Sequence, residues 1–259
     1  MQNIRIEAGD GPRQILSMLD GRRFNALITD PPYSSGGAFR GDRARPASAK
    51  YNSHEIRPED DYSGDGMDQR AWASWVTGWM SDLRQAAAPR AFAIIFIDWR
   101  QLPTLTDAVQ HAGWIWQGLG TWSKLHGRPH LGRLSNDAEH FVFATNGPAR
   151  ALPAGIGGYL PSVLAHSPVH PRVRFHPAQK PVPLMLDLLR LCVPGDLVVD
   201  PFVGSGSTAV ACARRGLDFL GADLDQKWVD VARRRVETEG ADPSLTATGE
   251  DDNAEAAAA

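Results

Sequence analysis

The sequence predicts an α/β domain. Short apolar runs of strand length alternate with segments of helical period along most of the chain. One such run, Phe24 to Ile28, stops at Thr29-Asp30-Pro31-Pro32-Tyr33. Another, Leu197 to Asp200, leads through a glycine-rich loop into a helix. At 259 residues the chain suits one such domain of ordinary size, with room for a small insertion.

In order, Ile4 to Glu7 alternates as a strand, Gly9-Asp10-Gly11 is a turn, and Pro12 to Leu19 has helical spacing with Ile15, Leu16 and Leu19 on one face. The strand Phe24 to Thr29 follows. Residues 34–66 show no hydrophobic period and hold Gly36, Gly37, Gly41, Pro46 and Pro58 among several arginines. Such a stretch is either a lid over a pocket or a solvated loop. Asp68 to Leu83 reads as a helix in which Trp72, Trp75 and Trp79 form one stripe, the spacing of core packing. Ala91 to Ile97 is a buried strand, Pro103 to His111 a helix, and Trp114 to Trp122 and His140 to Thr145 are strands joined by a basic loop. Gly147 to His176 shows little regular period. His130, His166, His170 and His176 lack the spacing and the completing carboxylate or thiolate of a metal site, so no metal is expected. A helix from Val182 to Cys192, the strand Leu197 to Asp200, a helix from Thr208 to Arg215, a strand from Leu217 to Ala222 and a helix from Gln226 to Val236 complete the body.

Composition excludes several classes. The longest wholly apolar stretch, Ala91 to Ile97, is too short to span a bilayer, and the first residues show no secretory pattern, so a cytoplasmic protein without a membrane partner is expected. Cys192 and Cys212 lie in apolar helical patterns and read as buried thiols. The net charge is −3, but seven acids and no basic residue follow Val236. Residues 1–236 therefore hold 27 basic against 23 acidic side chains, a mildly basic body that permits nucleic-acid binding. Residues 237–259 read as an acidic disordered tail.

Two stretches carry chemistry. In Asp30-Pro31-Pro32-Tyr33 the prolines stiffen the turn and supply no N–H, so it offers carbonyl oxygens and a carboxylate beside an aromatic face. That arrangement suits a flat ligand bearing an amino group. In Asp200-Pro201-Phe202-Val203-Gly204-Ser205-Gly206-Ser207-Thr208, the glycines allow a sharp turn and close approach, and the helix N-terminus favours an anionic group. Asp223 ends the next strand, where a carboxylate can accept from both hydroxyls of a ribose. Gly204-x-Gly206-x-x-Ala209 also fits a dinucleotide fingerprint loosely. A nicotinamide-dependent oxidoreductase loses on position, because only one strand and one helix follow the loop and the helix it opens.

Three motifs in this order, Asp-Pro-Pro-Tyr at 30–33, His176-Pro-x-Gln-Lys180-Pro before a helix, and Asp200-Pro-Phe-x-Gly-Ser-Gly-Ser-Thr208, resemble the beta group of DNA amino-methyltransferases that use S-adenosyl-L-methionine (AdoMet). Trp122-Ser123-Lys124 and Glu139-His140 also sit where that group carries similar residues. Ser207 and Asp223 stand where the group commonly has threonine and glutamate. The resemblance runs over most of residues 3–236. It implies a doubly wound, mostly parallel, seven-stranded Rossmann-like methyltransferase sheet, circularly permuted, with a recognition insertion within about 124–176.

The resemblance also implies roles. Asp30 and the Pro31 carbonyl hold the target amino group, with Pro32 stiffening the corner, and Tyr33 stacks on an extruded base. Phe202, Gly204, Ser205, Gly206 and Thr208 wrap the methionine part of AdoMet, behind Asp200. Asp223 holds the ribose, Asp10 lies near the adenine ring of the cofactor, and Lys180 orients the loop beside the cofactor tail. The implied reaction is methylation of adenine N6 in double-stranded DNA with the base flipped out. N4-cytosine methylation, an RNA or protein-glutamine amide substrate, and an inactive nucleic-acid-binding module remain alternatives. No cysteine sits in a comparable turn, which disfavours C5-cytosine chemistry. A homodimer fits the family, and the sequence leaves a restriction-enzyme partner open.

Overall fold

The computed structural model describes residues 3–34, 66–125, 131–132, 134–151, 160–176 and 178–241. The elements, in order, are β1 (Ile4–Ala8), α1 (Gly11–Leu19), β2 (Phe24–Thr29), α2 (Gln69–Ala86), β3 (Ala87–Ile97), α3 (Leu102–His111), β4 (Ile115–Ser123), β5 (Ala138–Thr145), β6 (Val163–Ala165), α4 (Val182–Leu188), β7 (Leu197–Asp200), α5 (Ser207–Arg215), β8 (Asp218–Asp223) and α6 (Gln226–Glu239). The strands form one sheet in the order β1-β8-β7-β2-β3-β5-β4-β6. Only the β3–β5 and β5–β4 pairs are antiparallel. The sheet is therefore mostly parallel, as expected. It has eight strands among the described residues, not seven. The eighth, β6, pairs with β4 over three residues inside the stretch that shows no period in the sequence.

Side-chain alternation explains why helices cover both faces. In β3, Ala91, Ala93, Ile95 and Ile97 face a cluster with Ile15 of α1, Trp72 and Leu83 of α2 and Leu105 of α3. Phe92, Ile94 and Phe96 face the opposite cluster, with Leu184 of α4, Val210 of α5 and Val229 of α6. Successive residues of a strand point to opposite faces, so a run apolar at every position must be covered twice. The chain therefore sends α1, α2 and α3 to one side and α4, α5 and α6 to the other.

This winding places the site. β2 and β7 are parallel neighbours, and β8 lies beyond β7 in the same sense. From β2 the chain crosses one face through α2 to β3. From β7 it crosses the other face through α5 to β8. The crevice outside the carboxyl ends of β2 and β7 is therefore a topological switch point, where open α/β sheets bind ligands. Thr29 and Asp200 end these two strands.

Several boundaries move. β3 begins at Ala87, where Phe24 pairs with Ala87 before the register jumps to Ala26–Phe92. The helix expected to reach Cys192 ends at Leu188 and tightens into one 3₁₀ turn, Leu189–Leu191, before Pro194. α6 runs to Glu239, three residues into the segment read as disordered, because Glu239 pairs with Arg235 at 2.7 Å. Residues 242–259 and most of the loop expected at 34–66 lie outside the described residues. Of the expected recognition insertion, the edges and β6 are described. Cys192 and Cys212 are buried and form no disulfide, and burial pushes the Cys192 thiol up to about 12.

At the N-cap of α5, Gly206 has φ +82°, and a Cβ there would lie 2.7 Å from Ala232 Cβ of α6. Both the backbone and the helix contact demand glycine. Gly206→Ala should cost about 1–3 kcal/mol of stability, read as a lower urea midpoint. An unchanged midpoint would show that α6 yields without cost.

Candidate active site

The corner after β2 is stiff for the reason its sequence suggests, and a distant helix tightens it further. The indole N–H of Trp72 in α2 donates to the Pro32 carbonyl at 2.8 Å. Tyr33 packs half-buried against the α2 cluster, and its hydroxyl donates to Asp30 Oδ1. Asp30 Oδ2 accepts from the Lys180 ammonium. The side chain of Asp30 keeps 22% of its surface exposed, whereas that of Lys180 keeps 7%. Burial raises the Asp30 carboxyl above its ordinary range, against the pull of Lys180. Burial and then the nearby Asp30 and Glu139 charges hold the Tyr33 hydroxyl far above its ordinary value, so it stays a donor.

The second wall is the loop after β7. Asp200 is buried. Its Oδ1 accepts from Thr29 Oγ1 at 2.7 Å and from the Phe202 N–H at 3.1 Å, and its Oδ2 accepts from Thr208 Oγ1 at 3.1 Å. This carboxylate ties the end of β2 to the start of α5. Gly204 turns at φ +48°, where a Cβ would meet nothing within 4 Å, and its N–H donates to Asp223 Oδ2 at 2.9 Å. Asp223 Oδ1 accepts from the Asp225 N–H at 3.1 Å. Each carboxylate oxygen can take a further donor, so Asp223 can still accept two hydroxyl hydrogens. Behind the loop, the guanidinium of Arg235, itself buried, donates to the Ser205 carbonyl at 2.7 Å.

Both walls line one cavity of about 430 Å³, within the roughly 300–1,000 Å³ of small-ligand pockets. Asp10, the corner Asp30-Pro31-Pro32-Tyr33, Lys180, Asp200, Phe202, Gly204, Ser205, Thr208 and Asp223 all border it. Gly206 does not, because it is turned onto Ala232 of α6. Its position shapes the start of α5. The oxygens of Asp200 are committed to Thr29, Phe202 and Thr208, so this residue fixes the walls. Lys180 touches both walls. Its carbonyl accepts from Ser207 Oγ at 2.7 Å beside the glycine loop, but its ammonium serves the Asp30 corner. Asp10 stands at the N-cap position of α1 without a side-chain capping bond and forms an exposed ion pair with Arg13 at 3.4 Å.

The comparisons bear on this geometry. A DNA methylase family model of the N6/N4 type matches residues 24–159 and 157–234. The chain belongs to that DNA methylase family.

YubD of Escherichia coli (strain K12), described as a methylase, is 26% identical over 235 residues, covering 90% of this chain and 89% of YubD. The type II methyltransferase M2.DpnII of Streptococcus pneumoniae is 42% identical over 65 residues, 25% of this chain and 24% of M2.DpnII. Among solved structures, the M1.HpyAVI complex with SAM superposes with a TM-score of 0.67 at 21% identity, covering 90% of this chain and 98% of that one. The cytosine-N4-specific PvuII methyltransferase gives 0.66 at 15% identity, covering 91% and 86%. These structures establish the shared fold.

Sequence reasoning missed several cavity residues of this methylase. Phe96 arrives through β3, Met67 precedes α2, and His176, Leu224 and Trp228 close the glycine-loop side. Trp228 could not be separated from core by period alone, and it packs edge-on against His176 at 4.4 Å. Of the tryptophan stripe, Trp72 and Trp79 are core as expected, but Trp75 reaches the cavity and lies 5.5 Å from the Phe202 ring. Of the remaining histidines, His166 pairs with Asp187 at 2.7 Å, and His130 lies outside the described residues. Among the described residues, no metal-type cluster gathers and no helix is long and apolar enough to cross a membrane.

Burial lifts the Asp200 carboxyl to about 7 from the ordinary 3.8, despite its three donors. Between these values the folded chain holds a proton that the unfolded chain releases. Its contribution to stability is therefore complete below about pH 4 and is lost as pH rises through about 7. Asp200→Asn should flatten that decline in urea unfolding compared at pH 5 and pH 8. Parallel declines in both proteins would mean that Asp200 does not titrate there.

Proposed function

We propose that this DNA methylase transfers a methyl group from AdoMet to the exocyclic N6 of an adenine flipped out of double-stranded DNA. The observation that carries the reading is the shared cavity. The Asp30 corner and the Gly204 loop face one space because Asp200 joins their strands by a 2.7 Å hydrogen bond from Thr29.

The residues fit AdoMet. Asp223 has two acceptor positions left for ribose hydroxyls, Phe202, Leu224 and Trp228 supply apolar walls for its base, and the open side of Gly204 admits its backbone-like tail. Asp10 borders the same end, and Ser205 and Thr208 border the tail. AdoMet supplies an electrophilic methyl carbon on a sulfonium. The adenine amine is a weak nucleophile, because its lone pair is delocalised into the ring. Asp30 and the Pro31 carbonyl accept its two hydrogens and draw the nitrogen towards tetrahedral geometry, localising that pair. The Pro32 carbonyl is occupied by Trp72, which leaves Pro31 as the second acceptor. The gain is orientation plus acceptors aimed at charge developing on nitrogen. Flipping costs roughly a few kcal/mol, offset in part by stacking on Tyr33.

Asp30→Ala should lower kcat by at least about 10²-fold, with the AdoMet Kd measured by calorimetry nearly unchanged. Asp223→Ala should instead weaken AdoMet by roughly tenfold or more, the loss of hydrogen bonds to a charged group. Wild-type binding of AdoMet must come first, since a chain that binds none has a different chemistry. The decisive assay methylates DNA with labelled AdoMet and digests it to nucleosides. Label on N6-methyl-2′-deoxyadenosine supports the reading, whereas label on N4-methyl-2′-deoxycytidine replaces adenine by cytosine.

A further inference from the structure

Each oxygen of the Asp30 carboxylate already holds a donor before any base arrives. Tyr33 donates to Oδ1 and Lys180 to Oδ2. An incoming amino group must share one of these oxygens, and an ammonium left on Oδ2 competes with it for the same carboxylate. The Lys180 ammonium cannot withdraw into water, because only 7% of its side chain is exposed. One acceptor stands within reach. Glu139 Oε2 lies 3.2 Å from Lys180 Nζ, is buried, and receives no well-directed hydrogen bond. The other oxygen of Glu139 is held by Lys124 at 2.6 Å, which fixes the carboxylate from the far side.

Resting on the methyl-transfer reading above, we propose that Glu139 is a positioning residue that receives the Lys180 ammonium. As the target amino group reaches Asp30, Nζ turns from Asp30 Oδ2 onto Glu139 Oε2. The freed oxygen then takes the amino hydrogen. No bond other than hydrogen bonds changes in this step, and no proton is transferred.

Charge gives the second reason for the move. During transfer the positive charge leaves sulfur and develops on the amino nitrogen. An ammonium still seated on Asp30 would face that nitrogen with like charge. With Nζ on Glu139, Lys180 and Glu139 neutralise each other and the Asp30 charge faces the reacting nitrogen alone. The chain Lys124–Glu139–Lys180–Asp30 is drawn from three separate parts of the sequence, the loop after β4, strand β5 and the segment before α4, and it converges on the β2 corner. Such a buried run of alternating charge holds several ions out of water, a costly arrangement if its only task is stability.

The test compares full-length wild type, Glu139→Gln, Lys180→Met and the double variant for AdoMet affinity, KM for DNA and kcat. Glu139→Gln should lower kcat by about 10²-fold with AdoMet affinity unchanged, because Lys180 then stays on Asp30. Adding Lys180→Met should raise kcat about tenfold above Glu139→Gln alone, since the blocking ammonium is gone. A purely structural Glu139 would not be rescued by a second substitution in the same cluster. Should Glu139→Gln fail to bind AdoMet, Glu139→Asp, whose shorter arm cannot reach Nζ, takes its place with the same expected loss and rescue. Wild-type kcat in the Glu139 variant, or a double variant no faster than it, overturns the transfer of Lys180 while leaving the methylase reading standing. A wild-type chain that methylates no DNA overturns both.

Discussion

One buried carboxylate organises this molecule. Asp200 ends β7 and receives hydrogen bonds from Thr29 at the end of β2, from the backbone of the glycine loop and from Thr208 in the first turn of α5. A buried acid is tolerated only when its oxygens are satisfied, and three donors from three segments satisfy this one. The Asp30 corner and the glycine loop are thereby held at opposite walls of one cavity. Their separation follows from the parallel spacing of neighbouring strands. The sheet supplies the direction of both walls, and Asp200 supplies their registration.

Electrostatics at the corner follows from the same burial. Asp30, Lys180 and Glu139 exclude most water, so their charges act on one another at short range. Burial alone would raise Glu139, but Lys180 and Lys124 bring it down to about 2. Burial also opposes the Lys180 charge, yet Asp30 and Glu139 outweigh it and hold the ammonium above its ordinary value. Glu139 and Lys180 thus favour their charged forms together, while burial works the other way on the Asp30 carboxyl. An exposed set of the same residues would be screened and too mobile to orient a ligand.

Much of this was legible in the chain. Period-two and strand-length apolar runs identify β2, β7 and β8, because a doubly covered strand must be apolar throughout. Asp-Pro-Pro-Tyr announces an acceptor corner, because proline removes donors and fixes φ. Gly204 and Asp223 sit where a turn and a terminal carboxylate are needed. Other features left no local trace. β6 is three residues that become a strand only beside β4, and nothing along the chain shows that α6 packs tightly on Gly206. Trp75 and Trp79 share one stripe and both pack on Phe202, yet only Trp75 of the two borders the cavity.

The sequence by itself determined the element types, the two chemical segments and the family to which they belong. These depend on interactions within about ten residues, where side-chain period, proline geometry and glycine freedom act directly. Tertiary structure alone decided that Lys180 reaches across 150 positions to Asp30, that Glu139 lies beside it, and that Asp200 receives the Thr29 hydroxyl. Contacts of that kind arise from strand order and the direction of winding, and no short window of residues encodes which two strand ends become neighbours.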